Sequence, residues 1–386
     1  MIVGAGPVGL TTALLLVEAG HPVLVVEQNS GLARDMRAST FHPATLDLLE
    51  PLGLAEPLIS GGSISQAWQF MLHGAKRHVV FDLETLAKDT AHPYSLICEQ
   101  YHLTSLLLER LERNPLFEAR FNHEVEAVEA LDDEVNVRVS WPGGSAEWQA
   151  TWLIAADGGN SAVRRCLGLD FRAGELSKAS VSLVLDYPFH HDVEGLLGVN
   201  YAWTATGYYS LMQIRDLWRF SCPPGPETET PAKIQDLLRG LFGGTGRYPV
   251  LQSNRYTQRE YCLDSFRAGH VLLAGDAAHL SVPVGGMGMN SGIHDAFCLA
   301  EHLLPVLGGA DEARLDRYSR RRRTIAIEEV RRLSAQMCRW LRETDPERRD
   351  AIWSGWQSIA GSRARVRDFL LDYSMIRSRQ REPAIA

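Results

Sequence analysis

Three separated groups of glycines and carboxylates carry the chemistry open to this sequence. The first is Gly4-Ala5-Gly6-Pro7-Val8-Gly9, a G-x-G-x-x-G, with Glu27 standing 18 residues after Gly9. Gly4 permits a tight turn, Gly6 lets the backbone approach a pyrophosphate, and Gly9 lets a helix pack closely on a strand. Pro7 and Val8 lead into that helix, whose unpaired N–H groups and positive end would meet the anion. Glu27 is placed to grip a ribose diol, and its charge would repel a 2′-phosphate. The second group is Asp157-Gly158-Gly159-Asn160-Ser161-Ala162-Val163-Arg164. The third is Gly275-Asp276-Ala277-Ala278-His279, followed by Pro283-Val284-Gly285-Gly286-Met287-Gly288-Met289-Asn290. In the last group Asp276 can accept hydroxyl hydrogen bonds while the loop N–H groups face an anion.

None of these patterns means much alone, because a chain with 33 glycines can contain G-x-G-x-x-G as an ordinary turn, and a strand-end Asp is more often a turn or cap residue. The elements that must position them give them weight. Apolar residues at Leu10, Ala13, Leu14 and Val17 have helical spacing and Gly20 supplies a stop. Pro22 to Val26 then reads as a short strand of the buried parallel type ending in Glu27. The first motif therefore sits in a strand–turn–helix–strand unit, although Met1 to Val3 leave only about three strand residues where ~5 are typical. Either an upstream residue or two is missing, or the fold tolerates a clipped first strand. Thr151 to Ala156 and Val271 to Ala274 read as strands leading into the other two motifs, and the glycine loop feeds a helix from about Asn290 to Leu303. At this level the chain binds a dinucleotide, with FAD and NAD not yet separated.

Composition narrows the class. A length of 386 residues suggests two to three domains, and 45% hydrophobic with 22% charged residues excludes disorder, collagen-like repeats and a disulfide mini-scaffold. A net charge of −8 argues against a surface that grips nucleic acid or membrane lipid. The balance is uneven, however, since residues 311–386 carry 18 Arg and 12 acids. Cys98, Cys166, Cys222, Cys262, Cys298 and Cys338 are scattered without metal-ligand spacing, and they read as reduced core thiols of a cytoplasmic protein with no metal site. No apolar run reaches the ~18 residues of a membrane helix, and no signal-peptide pattern is present.

Together the three motifs, in this order and spacing, closely resemble the class A flavoprotein aromatic hydroxylases, the FAD monooxygenases of p-hydroxybenzoate hydroxylase type, in register from residue 1 to about 340. The resemblance implies an α/β fold: a Rossmann-like FAD domain of glutathione reductase type with an inserted antiparallel substrate sheet and C-terminal helices. Residues 1–65, 90–170 and 264–340 would form the discontinuous FAD domain, 66–89 and 171–263 the sheet, and 341–386 a helical segment. It further implies that Arg37 contacts the FAD diphosphate, that Gln100 meets the ribityl or phosphate region, and that the Val125 backbone meets the adenine. Asp157 and Gly158 would lie near the pyrophosphate with Arg164 supporting their turn. Gly275 and Asp276 would hold the ribityl chain, while Gly286, Met287, Gly288, Met289 and Asn290 would lie along the flavin. Met287 departs from the polar or basic residue common there. FAD would be tightly but non-covalently bound, with NADH or NADPH a transient co-substrate, since no second nucleotide motif lies downstream. The family chemistry passes hydride to flavin, and a C4a-hydroperoxide then delivers oxygen from O2 to a small aromatic or heteroaromatic ring, expected to carry a hydroxyl already. Pro283 resembles the proline beside the flavin face.

Substrate residues are less defined by the sequence. The runs Ala67–Leu72, His78–Asp82, Ser180–Asp186, Gly198–Trp203, Tyr208–Ile214 and Trp218–Cys222 read as strands, with Tyr201, Trp203, Tyr209 and Met212 as candidates for the pocket wall. A base could be His190, His191 or Tyr201, and Arg215 a cation for the phenolate. Strand register decides among them. In the basic tail, Ile325, Ile327, Val330, Leu333, Met337, Trp340 and Leu341 form a helical stripe, so the arginines 320–323 read as a solvated face rather than a polyanion site. The last 46 residues would cover the core or form a contact in a dimer, leaving a monomer or homodimer open. Rival readings are a flavin-dependent halogenase, an FAD reductase of isoprenoid lipids, and a non-catalytic flavin or dinucleotide sensor.

Overall fold

The protein is described from a computed structural model covering residues 1–34, 38–75, 77–169, 178–244, 246–258 and 260–386. Its central sheet has six strands in the order Arg267–Ala268, Val271–Leu273, Leu153–Ala155, Ile2–Val3 (β1), Val23–Glu27 (β2) and Phe117–Phe121. All neighbours pair in parallel except the first two strands. β1 has only two residues, yet Ile2 pairs with both Ile154 and Val25. This strand is central in the sheet and flanked on both sides. Strands buried on both faces need continuous apolar runs, and Ile2, Val25, Val26, Leu153, Ile154, Leu272 and Leu273 lie in one core with Leu10, Ala13 and Leu14 of helix Pro7–Glu18 (α1).

The register sets the C-terminal ends of four adjacent parallel strands side by side. Leu273 leads into Gly275-Asp276, Ala155 into Asp157, Val3 into Gly4, and β2 ends on Glu27. Residues some 270 positions apart in the chain thus become one edge, the position where open α/β sheets bind ligands. Behind this edge, helix Met287–Leu307 (α2) packs on α1. α2 begins three residues earlier than its sequence pattern suggested, with Gly286 as its left-handed N-cap at φ +68°.

A second, seven-stranded sheet runs in the order Val250–Gln258, Lys178–Leu185, Leu217–Cys222, Tyr208–Ile214, Val199–Trp203, Ala67–Leu72 and Arg77–Asp82. It is not wholly antiparallel as expected: Val199–Trp203 and Ala67–Leu72 run parallel. Those two strands come from distant parts of the chain, so no hairpin imposes opposite directions on them. Alternation along the strands gives the sheet two faces. Tyr209, Phe220 and Leu211 face helix Pro231–Phe242, whereas Trp68, Phe70, Tyr201 and Trp203 share a core with Trp353, Trp356, Leu370 and Tyr373. The C-terminal helices therefore cover the sheet: Trp356 lies 4.4 Å from the Phe70 ring and 4.9 Å from Trp203.

Two expectations are corrected. The arginines 320–323 are not simply a solvated face, because Arg322, on helix Ala313–Ile325 (α3), has no exposure and Arg321 is 9% exposed. Arg322 pairs with buried Asp295 and half-buried Glu382, and Arg321 donates to the backbone oxygens of Pro383 and Ile385. The cysteines are all unbridged, but Cys166 is exposed rather than a core thiol, since it ends a one-turn helix at the surface. Among the described residues no helix is long and apolar enough to cross a membrane.

Candidate active site

At the edge of the parallel sheet, two glycines are enforced by close approach. Gly4 has φ +104°, and a Cβ there would stand 2.4 Å from the Ala156 carbonyl oxygen. A Cβ on Gly9 would meet the Gly4 oxygen at 2.0 Å. Nothing lies within 4 Å of a Cβ on Gly6, the N-cap of α1, and no side chain caps this helix. Pro7 occupies the first turn, where a missing N–H costs nothing. The α1 terminus therefore presents bare backbone donors to open space, the arrangement an anionic group requires. Beside it, the Glu27 Oε2 accepts from the Ala5 N–H at 2.9 Å and Oε1 from the Asn29 N–H at 3.0 Å. The glycine turn thus aims this carboxylate.

Asp157 accepts from the Val163 N–H through Oδ2 at 3.1 Å, whereas its Oδ1 is buried without a hydrogen-bond partner. Burial raises its pKa, against the hydrogen bonds from Ser161 and Val163. A buried orphan acceptor beside Gly4 fits a ligand that donates to it. Arg164, 2% exposed, ties the second motif to the third: Nη2 donates to Gly159 O at 2.9 Å and Nη1 to Ala277 O at 3.1 Å. Its guanidinium lies 5.2 Å from the Tyr261 ring, and the Tyr261 hydroxyl donates to Asp276 O. Tyr261 escaped the sequence reading, as only long-range pairing brings it here.

Gly275, at φ +58°, packs on Val8, whose Cγ2 would lie 2.8 Å from an added Cβ. The following loop is fixed by Asn290, fully buried, whose Nδ2 donates to Thr40 O at 2.8 Å and Gly286 O at 2.7 Å while Oδ1 accepts from the His42 N–H at 2.9 Å. Asn290 thus acts on the loop's shape through its side chain. Met287 is buried in the aromatic core under the second sheet, Gly288 and Met289 are half-buried in the first turn of α2, and Pro283 is exposed at the loop start. Gln100 opens helix Gln100–Leu111, its N–H donating to Ala38 O at 3.0 Å. Val125 is a core residue opposite Val139 at a β-bulge. Arg37 lies outside the described residues.

The candidates for substrate chemistry separate clearly. Tyr201 is 4% exposed, stacks 5.2 Å from Phe70, and faces the Gly285 backbone. Burial raises its pKa, outweighing the Gly285 hydrogen bond, so it is a neutral donor and not a base near neutrality. His191 and His190 are exposed in a short turn whose Phe189 packs on the Tyr209 and Phe220 face of the sheet. The structure does not bring them to Tyr201, because period-two alternation puts Tyr201 on the other face. Arg215 occupies the turn after Ile214 at φ +53° and pairs with Glu99 at 3.1 Å. A further residue that the sequence reading missed is Arg219. Register puts Ser210, Ser221 and Arg219 on the Tyr201 face, and its guanidinium bonds to Ser182 Oγ at 2.9 Å and Ser39 Oγ at 3.1 Å. On this face His42, fully buried, shares Nε2 with Gly285 O at 2.8 Å, and burial lowers its pKa to about 4.

A dinucleotide-binding edge beside a second, aromatic-lined sheet fits a nucleotide cofactor on one sheet and a ring-shaped ligand against the other. The sequence matches the FAD binding domain family over residues 1–333. The chain belongs to that family and is a class A flavoprotein aromatic hydroxylase, an FAD-dependent oxidoreductase acting on aromatic rings. It is 31% identical to para-nitrophenol 4-monooxygenase of Pseudomonas sp. (strain WBC-3), over 98% of this chain and 96% of that protein. It is 30% identical to 6-hydroxy-3-succinoylpyridine 3-monooxygenase HspB of Pseudomonas putida (strain DSM 28022 / S16), over 96% of each. The crystal structure of p-nitrophenol 4-monooxygenase PnpA from Pseudomonas putida DLL-E4 superposes with a TM-score of 0.91 at 32% identity, covering 97% of both chains.

Proposed function

We propose that this enzyme hydroxylates a small phenol held between the Pro283 to Gly286 loop and the second sheet, with Tyr201 donating a hydrogen bond to the phenolic oxygen. The observation that carries the reading is Tyr201: a buried, neutral hydroxyl set against the glycine-loop backbone beside Phe70, on the sheet face that also carries Arg219 and meets His42. A largely aromatic face with a few oriented polar groups binds a ring and fixes which end carries the oxygen. A phenol losing its proton becomes a stronger nucleophile at the ring carbons, and a donor aimed at its oxygen stabilises that charge.

FAD, when bound, would supply two-electron redox chemistry with NAD(P)H and activation of O2. The Gly4 to Gly9 turn, with Gly158 beside it, would hold its pyrophosphate, Glu27 the adenosine ribose, and Gly275 and Asp276 the ribityl chain, with Gly286, Gly288 and Met289 along the flavin. Gln100, Arg37, Asp157 and Val125 remain proposed cofactor contacts by resemblance. Pro283, lacking an N–H, would shape the oxygen-side wall. Arg219 would place a positive charge on the same face, suited to an anionic ring or ring substituent. The similarity to para-nitrophenol 4-monooxygenase makes para-substituted phenols the first class to try.

The test is a screen of phenols and hydroxypyridines for substrate-stimulated NADH and NADPH oxidation, with hydroxylated product measured against hydrogen peroxide. Coupled hydroxylation of a para-substituted phenol is expected. Oxidation yielding peroxide alone with every phenol would refute the assignment.

A further inference from the structure

Behind the ribityl turn lies a buried charged chain that the cofactor reading leaves unused. Asp295 of α2 has no exposure. One of its oxygens, Oδ2, accepts from the Gly275 N–H at 2.8 Å and from His279 Nε2 at 2.7 Å. Both ends of the segment 275–279 are therefore tied to a single atom, with Asp276 between them. The other oxygen accepts from Arg322 Nε at 2.5 Å. Arg322, also without exposure, donates through Nη2 to Ser291 O and Oγ at 3.2 Å and through Nη1 to Glu382 Oε2 at 2.8 Å. Arg321 donates to Pro383 O at 2.9 Å and Ile385 O at 3.1 Å, and Arg320 to Ala386 O at 3.0 Å.

We propose that Asp295 is a positioning residue for the cofactor turn and that Arg322 and Glu382 extend its hold to residues 382–386, so that docking of this segment sets how tightly FAD is bound. The turn has no slack of its own: Gly275 is left-handed, and its Cα would lie 3.2 Å from a Cβ on Gly292 of α2. A shift of the carboxylate is therefore passed to Asp276. At the depth of Asp295 and Arg322 water cannot replace a lost partner, so each fixes the other, while half-buried Glu382 anchors Arg322 from the outer side. Burial alone would raise the Asp295 pKa, but His279 and Arg322 bring it down to about 2, keeping the acceptor charged. Three of the four clustered arginines, Arg320, Arg321 and Arg322, bond to residues 382–386, whereas Arg323 donates to Leu263 O and Asp264.

The proposal rests on FAD lying at the Gly275–Asp276 turn, and the Asp276→Ala variant tests that premise separately. FAD is removed from wild type, Glu382→Gln, Asp295→Asn and Asp276→Ala, and each is titrated with FAD by flavin fluorescence, with melting of each apoprotein recorded alongside. Glu382→Gln should weaken FAD about tenfold, the scale of one charge-assisted hydrogen bond, while its apoprotein melts close to wild type. Asp295→Asn should weaken FAD at least as much. If Asp295→Asn does not fold, Glu382→Gln decides alone. Unchanged FAD affinity in Glu382→Gln, or a loss no larger than its apoprotein destabilisation accounts for, overturns the proposal. Normal affinity in Asp276→Ala overturns the placement of FAD instead.

Discussion

Tyr201→Phe isolates the role assigned to the buried Tyr201 hydroxyl that faces the Gly285 backbone. The ring remains stacked on Phe70, so the change removes a donor and little volume. A hydrogen bond from a neutral donor to a charged oxygen contributes about 1.5–3 kcal/mol where water is excluded. At 1.36 kcal/mol per pKa unit, losing it should raise the pKa of a bound phenol by about 1–2 units. If that stabilisation is carried into the transition state, kcat/KM should fall roughly 10- to 150-fold. The assay is a pH titration of para-nitrophenol bound to the holoenzyme, followed by its phenolate absorbance, with kcat/KM from coupled product formation. A bound phenol that titrates alike in wild type and Tyr201→Phe, with kcat/KM within about twofold, would remove Tyr201 from the substrate site.

Three further outcomes follow from the same geometry. Asp276→Ala should purify largely free of flavin, read from the ratio of flavin to protein absorbance. Glu27→Ala should weaken FAD by about tenfold or more but leave flavin mononucleotide affinity unchanged, because only FAD carries the adenosine ribose; equal losses would reduce Glu27 to a strand end. The third concerns pH. His42, with a pKa near 4 in the fold against an ordinary 6.5, stays neutral while the unfolded chain takes up its proton. Between those values the unfolded state binds more protons, so His42 leaves stability intact above about pH 6.5 and subtracts up to about 1.4 kcal/mol per pH unit as pH falls towards 4. Urea unfolding of His42→Gln across this range should show a flatter dependence than wild type.

The cofactor edge was legible because each part of it is local. Gly4 to Gly9, Asp157-Gly158 and Gly275-Asp276 each follow a short apolar strand, and strand, turn and helix start are written in consecutive residues. What joins them was not legible. Tyr261, Asp295, Arg322 and Glu382 act across 15 to 60 residues or more, and no periodicity links an arginine to the acid it will neutralise. The second sheet shows the other limit. Its strands were readable from alternation, but facing depends on register, which is why His191 was as eligible as Tyr201 until Tyr209 and Phe220 were seen to share the face that Phe189 covers. Arg219 was passed over for Arg215, four residues earlier, for the same reason.

The adjacency of β1 with Leu153–Ala155, and of that strand with Val271–Leu273, also has a consequence during synthesis. A ribosome releases Gly4 to Gly9 first, yet the neighbours that complete the nucleotide edge emerge some 150 and 270 residues later, and α2 follows them. Until then β1 lacks one of the two strands that flank it, and the third motif is absent altogether. Closing loops of that length is slow compared with hairpin or helix formation. Flavin therefore cannot template the early chain. Its capture belongs to the end of folding, and the half-made chain must wait with a bare strand edge exposed, the condition in which chains of this size are most open to aggregation.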